Sequence, residues 1–329
     1  MKAWMLDPVA QILSLAERAM PEPGPQQVLI KVKAASLNRG EFLVGMGIGG
    51  AGSASKPSGM EAAGEVVAIG EQVAQHASCP IAIGDRIMGR APGGFAEYAL
   101  LDAQDILAIP SSMDWIDAAC VPIAYLVAYD MVVAGGELQK GQSCLITGAS
   151  SGVGVASMQI AQVIGARVIG TSSSQHKLDR LTSLGLDEAL LSRGPDFVQA
   201  VLELSGHKGV ELAINNVGGS VFEACLQALA YQGRLALVGF VDGVKQSSID
   251  LDRVHAQRLK IFGVSNKFRR ADQRAQTVSG FAKDMLPYFH SGKLKPVIEQ
   301  IFDFEDLPKA QSAMQSNSHL GKLVLKVAC

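Results

Sequence analysis

The chain contains no Cys-x-x-Cys pair of the kind that marks a structural zinc site. Its five cysteines, at 79, 120, 144, 225 and 329, are odd in number, widely spaced and mostly in apolar surroundings. That pattern excludes a disulfide framework and points to reduced, buried thiols in a cytoplasmic protein. Charge of one sign is also missing. A formal net charge of −2 with scattered Lys and Arg leaves no electrostatic footprint for nucleic acid or an anionic membrane. The tightest basic cluster, Lys267-Phe268-Arg269-Arg270, reads as a solvated loop or helix start. The most hydrophobic stretch, Ala118 to Ala134, is interrupted by Pro122 and Asp130, so it predicts a buried helix and not a membrane span. Met1 to Leu6 runs into Asp7-Pro8 without the apolar centre of a signal peptide. Aromatics are only 5%, and neither an internal repeat nor a low-complexity tail is visible.

What is present is glycine, 35 residues of it, in a 329-residue chain that is 48% apolar, which predicts two closely packed α/β domains. The centre of the chain is Ser143 to Gly154, an apolar strand followed by Gly148, Gly152 and Gly154 and then an amphipathic run to Ile164. Glycine at such a turn lets the backbone approach a pyrophosphate, whose charge is met by the N–H groups and dipole of the helix start. The alternative is a glycine turn that merely packs a helix closely on a sheet. Strand before, helix after and alternating strands and helices beyond supply the context a dinucleotide site requires. After the second strand comes Ser172-Ser173-Ser174-Gln175-His176-Lys177, where an NAD site would place a carboxylate on the ribose. Hydroxyls and a lysine suit a 2′-phosphate, so the expected cofactor is NADPH, although serine here also suits a helix cap.

The first third reads as β. Gln27 to Ala34 alternates as a half-buried strand, with further strands in Gly64 to Ile69, Gly84 to Gly89 and Gly93 to Ala99, a barrel-like set. Gly45 to Ser58 is rich in Gly, Ala and Ser and reads as a loop. Beyond residue 140 six strands are predicted, at 144–147, 167–171, 188–191, 210–215, 234–238 and 259–264, enough for a doubly wound sheet. The tail predicts a helix over 278–290, a β stretch over 297–304, a helix over 307–315 and a strand over 322–327. Its composition returns to that of the first third. The expected domains are therefore 1–122 plus 266–329, with 123–265 inserted as the NADP-binding domain.

Gly59-Met60-Glu61-Ala62-Ala63-Gly64, then Gly70 and Val73, resembles the signature of the medium-chain dehydrogenase/reductase superfamily with one histidine changed. Gly84-Asp85-Arg86, Gly94-Phe95-Ala96-Glu97-Tyr98, Asn215 to Gly219 and His319-Leu320-Gly321-Lys322 extend the resemblance along nearly the whole chain. Ser36-Leu37-Asn38-Arg39-Gly40-Glu41 is similar to the zinc-free NADPH:quinone oxidoreductase branch. This resemblance implies a GroES-like β-barrel catalytic domain with an inserted Rossmann six-stranded parallel sheet. It also implies that Asn38, Met60 and Ile123 stand where zinc enzymes carry ligands, and an amide, a thioether and an alkyl chain do not hold Zn²⁺. Short-chain dehydrogenases share a similar glycine motif but need Tyr-x-x-x-Lys, which none of the five tyrosines provides.

The activity implied is metal-free hydride transfer from NADPH to a quinone or α,β-unsaturated carbonyl. Gly148, Ala149, Gly152, Val153 and Gly154 are expected on the pyrophosphate, and Ser172, Ser173 and Lys177 on the 2′-phosphate. Asn216 and Lys322 complete the cofactor set. Asn38 is the catalytic candidate, a buried amide donating to the carbonyl oxygen, against the reading of a satisfied loop asparagine. Tyr125 and Tyr129 read as packing residues, with contact of one of them to nicotinamide or substrate as the alternative. A homodimer pairing through 259–264 is the expected assembly. A non-catalytic NADPH-binding protein of the same fold is the alternative.

Overall fold

The structure, a computed structural model, describes residues 1–7, 10, 12–42 and 55–327. Most of the Gly45 to Ser58 loop, and Cys329, lie outside the described residues. The chain forms two compact units, Met1–Leu126 with Arg270–Cys329, and Val127–Arg269. The sequence had put the crossings at 122/123 and 265/266.

The first unit opens with strands β1 (Lys2–Leu6), β2 (Leu13–Glu17), β3 (Gln27–Ser36), β4 (Lys56–Pro57), β5 (Glu61–Ile69), β6 (Arg86–Arg90), β7 (Tyr98–Asp102) and β8 (Ile106–Ala108). β3 is the hub, paired antiparallel with β5 and β7. It is therefore buried along most of its length, where alternation predicted half burial; only Gln27, Lys31 and Lys33 remain partly exposed. Ile30, Val32, Ile87, Phe95 and Leu101 make its core. Full burial of each such side chain contributes roughly 1.5–3 kcal/mol. The short pair β1 and β2 escaped sequence reading; β1 is tied down by Trp4, whose indole Nε1–H donates to the Phe304 carbonyl at 2.8 Å.

The second unit carries β9 (Ser143–Thr147), β10 (Arg167–Ser172), β11 (Glu188–Leu191), β12 (Val210–Asn215), β13 (Leu229–Leu237) and β14 (Lys260–Gly263). They form one six-stranded sheet in the order β11-β10-β9-β12-β13-β14. Every pairing is parallel. This is the predicted doubly wound sheet, whose order reverses between β9 and β12, and such reversals form the ligand crevice of open α/β sheets. β13 starts at Leu229, five residues ahead of the strand predicted over 234–238. Parallel pairing of Leu229 with Val210 accounts for the earlier start. Leu145, Ile169, Val201, Ala213 and Leu235 fill this unit's core.

The apolar stretch 118–134 is divided rather than one helix. It holds the end of Trp115–Ala119, then Ala124–Tyr129, then a π-helical turn over Asp130–Ala134. Asp130 is buried there and pairs through both carboxylate oxygens with Arg269. Arg269 is thus not the solvated residue its basic cluster implied. Among the described residues no helix is long and apolar enough to cross a membrane.

The chain returns to the first unit with helices Ala271–Asp284 and Leu286–His290, predicted as one and separated at Met285 ahead of Pro287. There follow β15 (Ile298–Asp303), helix Leu307–Gln315 and β16 (Lys322–Lys326). β16 pairs with β3 and with β15, giving the path β15-β16-β3-β5-β6-β8. The N-terminal end of β16 is thereby brought beside the C-terminal end of β3, with Val324 opposite Ser36.

Candidate active site

Two constellations emerge, one in each unit. In the second unit β9 ends at Thr147 and the chain turns through Gly148, whose φ of +62° is a conformation glycine adopts without steric cost. The helix Gly152–Ile164 follows, capped by Ser151, whose Oγ accepts from Gly154 N at 3.0 Å. A Cβ at Gly154 would stand 2.6 Å from the Ala149 carbonyl oxygen. The loop is therefore folded as tightly as glycine alone permits, with the first-turn N–H groups lacking intrahelical acceptors. This is an anion cradle, and a dinucleotide pyrophosphate fits it. Gly154→Ala is expected to cost about 1–3 kcal/mol of stability through this clash; an unchanged melting temperature would show that the loop has room.

Ser172 ends β10 and is buried, Ser173 is exposed, and Lys177 lies in the first turn of the helix Gln175–Ser183. The capping role falls to Ser174, whose Oγ accepts from Lys177 N at 3.4 Å. Ser172 Oγ accepts from Ser174 N at 3.3 Å, so a local turn holds this hydroxyl at the strand end, with Ser173 exposed and Lys177 half-buried nearby. Asn216 is 5% exposed; its Nδ2 donates to the Thr147 carbonyl at 2.9 Å and its N–H to Thr147 Oγ1 at 3.3 Å. It thus fastens the ends of β9 and β12 on either side of the reversal.

In the first unit, β3, the turn Arg39–Phe42, β5 and β16 converge on a buried polar knot. Glu61 is fully buried, and its Oε1 accepts from Ser36 Oγ (2.5 Å), Asn38 Nδ2 (2.8 Å) and Lys322 Nζ (2.9 Å). Its Oε2 accepts from Ile123 N at 2.7 Å. Lys322 donates further to the Leu37 carbonyl at 2.9 Å and to Asn38 Oδ1 at 2.8 Å. Asn38 also donates to Glu41, from Nδ2 to Oε1 at 3.1 Å and from its backbone N to Oε2 at 3.2 Å. Burial pushes the Glu41 carboxyl up to about 8, with a small further push from Glu61, against lowering by the Asn38 bonds and Lys322. Burial likewise drives the nearby Cys120 thiol far above its ordinary value.

This placement differs from the sequence expectation for Lys322, which was assigned to the cofactor. Three acceptors within its own unit take its three ammonium hydrogens. The sequence pattern alone does not mark Ser36, Glu41 and Glu61 as site residues. The available signal was a carboxylate inside the apolar run Met60 to Ala63, which demands a buried partner. Tyr125 is buried with its ring edge-on to Phe289 at 4.9 Å between centroids, a packing role. Among the described residues no group of three His, Cys, Asp or Glu is placed to hold a metal. Of the three positions where the resemblance puts zinc ligands, Asn38 has its amide engaged in the knot, while Met60 and Ile123 contribute a thioether and an alkyl side chain, a poor donor set for that ion.

The first constellation lies on a Rossmann-type sheet and the second in a GroES-like unit, the two folds of an oxidoreductase superfamily. The family described as zinc-binding dehydrogenase matches residues 152–279, and that described as alcohol dehydrogenase GroES-like domain matches residues 24–111. The chain belongs to the medium-chain dehydrogenase/reductase superfamily. It is similar to the CurK enoyl reductase, with a TM-score of 0.84, 25% identity and 99% of each chain covered. A mycobacterial protein solved in complex with NADPH aligns with a TM-score of 0.86 and 25% identity, over 99% of this chain and all of the other. A quinone oxidoreductase of Pseudomonas syringae aligns with a TM-score of 0.83 and 26% identity over 99% of each chain. Among curated proteins, a phenolphthiocerol/phthiocerol polyketide synthase polypeptide of Mycobacterium tuberculosis is 30% identical over 316 residues, 96% of this chain. The chain spans only 14% of that relative's length.

Proposed function

We propose that this chain is an NADPH-dependent oxidoreductase that reduces a quinone or an α,β-unsaturated carbonyl without a catalytic metal. The carrying observation is the buried knot of Asn38, Glu61 and Lys322: Asn38, at one of the positions the resemblance assigns to a zinc ligand, meets an ammonium–carboxylate pair instead. When bound, NADPH supplies a hydride from its nicotinamide ring. The N–H groups of the Gly148 to Gly154 turn hold the pyrophosphate, and Ser172, Ser173 and Lys177 hold the 2′-phosphate. Asn38 orients the carbonyl and stabilises its oxygen as negative charge develops. An enolate or phenolate spreads that charge over several atoms, so the product needs less electrophilic help than the alkoxide of alcohol oxidation. The open edge of β14, which pairs with β13, supports a homodimer built through that strand.

A non-catalytic NADPH-binding role is the second reading. Both hydrogens of the Asn38 amide are already engaged, which favours it. Turnover separates the two. Absorbance loss of NADPH, or of NADH in parallel, is followed with 1,4-benzoquinone and a simple enone while zinc is assayed in the same sample. Zinc-free oxidation preferring NADPH supports the reductase. Tight cofactor binding without turnover supports the alternative, and stoichiometric zinc with alcohol oxidation sinks both. Lys177→Ala is expected to reduce the preference for NADPH over NADH roughly tenfold to a hundredfold, the equivalent of about 1.5–3 kcal/mol for a charge-assisted phosphate contact. An unchanged preference would remove Lys177 from the phosphate site.

A further inference from the structure

We infer that Glu41 is the positioning residue that releases Asn38 to the substrate: one amide hydrogen of Asn38 rests on the Glu41 carboxyl and passes to an incoming carbonyl oxygen while that carboxyl is neutral. The inference rests on the reading of Asn38 as the group that meets the carbonyl. Asn38 has two side-chain N–H groups and one oxygen, and all are engaged. Oδ1 accepts from Lys322 at 2.8 Å, while the two hydrogens go to Glu61 at 2.8 Å and Glu41 at 3.1 Å. A donor can reach a substrate only by leaving one carboxyl.

The two carboxyls are not equivalent. Glu61 is anchored by Ser36, Lys322 and Ile123 as well as by Asn38, and its charge is balanced by the ammonium beside it. Among the described residues the Glu41 carboxyl accepts from Asn38 alone, at the longer distances of 3.1 and 3.2 Å. It is a second carboxyl beside a pair that is already neutral, so an ionised Glu41 adds an uncompensated buried charge. Burial accordingly holds its proton to about pH 8. A neutral carboxyl is roughly half as strong an acceptor as a carboxylate, so the bond to Glu41 is the one that yields.

The surrounding charges leave this balance to Glu41. Arg39, on the same turn, donates to Asn317 Oδ1 at 2.6 Å and towards the Met314 carbonyl. On the helix Leu307–Gln315, which packs on this turn, Lys309 is exposed and paired with Asp306 at 2.8 Å. β16 and β5 supply Lys322 and Glu61, and Cys120 remains a thiol. Above the Glu41 titration, a carboxylate both tightens its hold on the amide and opposes a developing oxyanion.

The test is the pH dependence of kcat with NADPH and a saturating enone, in wild type, Glu41→Gln and Asn38→Ala. Wild type is expected to lose about tenfold between pH 7 and pH 9, following the neutral fraction of a group titrating near 8. In Glu41→Gln that loss disappears, because the side chain has no ionised form. If Glu41→Gln keeps the wild-type alkaline fall while Asn38→Ala is impaired, the inference is wrong and Asn38 stands. If Asn38→Ala matches wild type at every pH, the underlying reading fails and takes the inference with it. A readout free of turnover is the infrared spectrum of protein carrying isotope-labelled glutamate. A protonated carboxyl band that is present at pH 7, lost above pH 8 and missing from Glu41→Gln is expected, and its absence at pH 7 in wild type overturns the inference.

Discussion

Lys322→Met is expected to lower folding stability by about 3–5 kcal/mol, because it leaves the Glu61 carboxylate inside the protein without a cation. The two side chains are 6% and 0% exposed and 2.9 Å apart, so solvent cannot take over the role of the lost partner. Methionine matches the length of the lysine stem but offers no donor, leaving the Leu37 carbonyl and Asn38 Oδ1 unsatisfied as well. Urea denaturation measures the loss. Adding Glu61→Gln to Lys322→Met removes the stranded charge and is expected to recover part of the stability. A loss below about 1 kcal/mol in the single variant would mean that the pair is hydrated or relaxes on substitution.

The second large effect is on rate. Asn38→Ala is expected to reduce kcat by about 10²–10³, the usual consequence of deleting one preorganised donor to a developing oxyanion. The same change takes a partner from Glu61, Glu41 and Lys322, so melting temperature and kcat are measured together. Both fall if the amide serves the knot and the substrate. A fall in stability with kcat unchanged would leave Asn38 a purely structural asparagine and assign the carbonyl oxygen to another donor.

Much of the nucleotide unit was legible because its signals are local. Gly148, at a positive φ, and Gly154, where a Cβ would clash with the Ala149 carbonyl, mark a turn that favours glycine, and the six parallel strands follow apolar runs with helices between them. The errors in that unit fall where long-range pairing outweighs local period. The strand predicted over 234–238 begins earlier because Leu229 pairs with Val210, and Arg269 reads as solvated until Asp130 is found across the π-turn. In the first unit β3 looked half-buried because its polar positions alternate, yet with β5, β7 and β16 around it even its lysines are partly covered.

The sequence by itself determined the superfamily resemblance, the strand–glycine–helix cradle and the serine–lysine stretch in place of an acidic ribose ligand. Each is written in consecutive residues whose backbone conformation or charge carries the meaning. Only the tertiary structure decided what Lys322 does and that Glu41 belongs to the site. Residues 36, 38, 41, 61 and 322 meet because β16, the last strand in the chain, pairs with β3 and brings an ammonium next to a carboxylate 261 positions away. No local periodicity encodes that approach. It follows from the need of a buried charge for a partner, and only the pairing of distant strands supplies one.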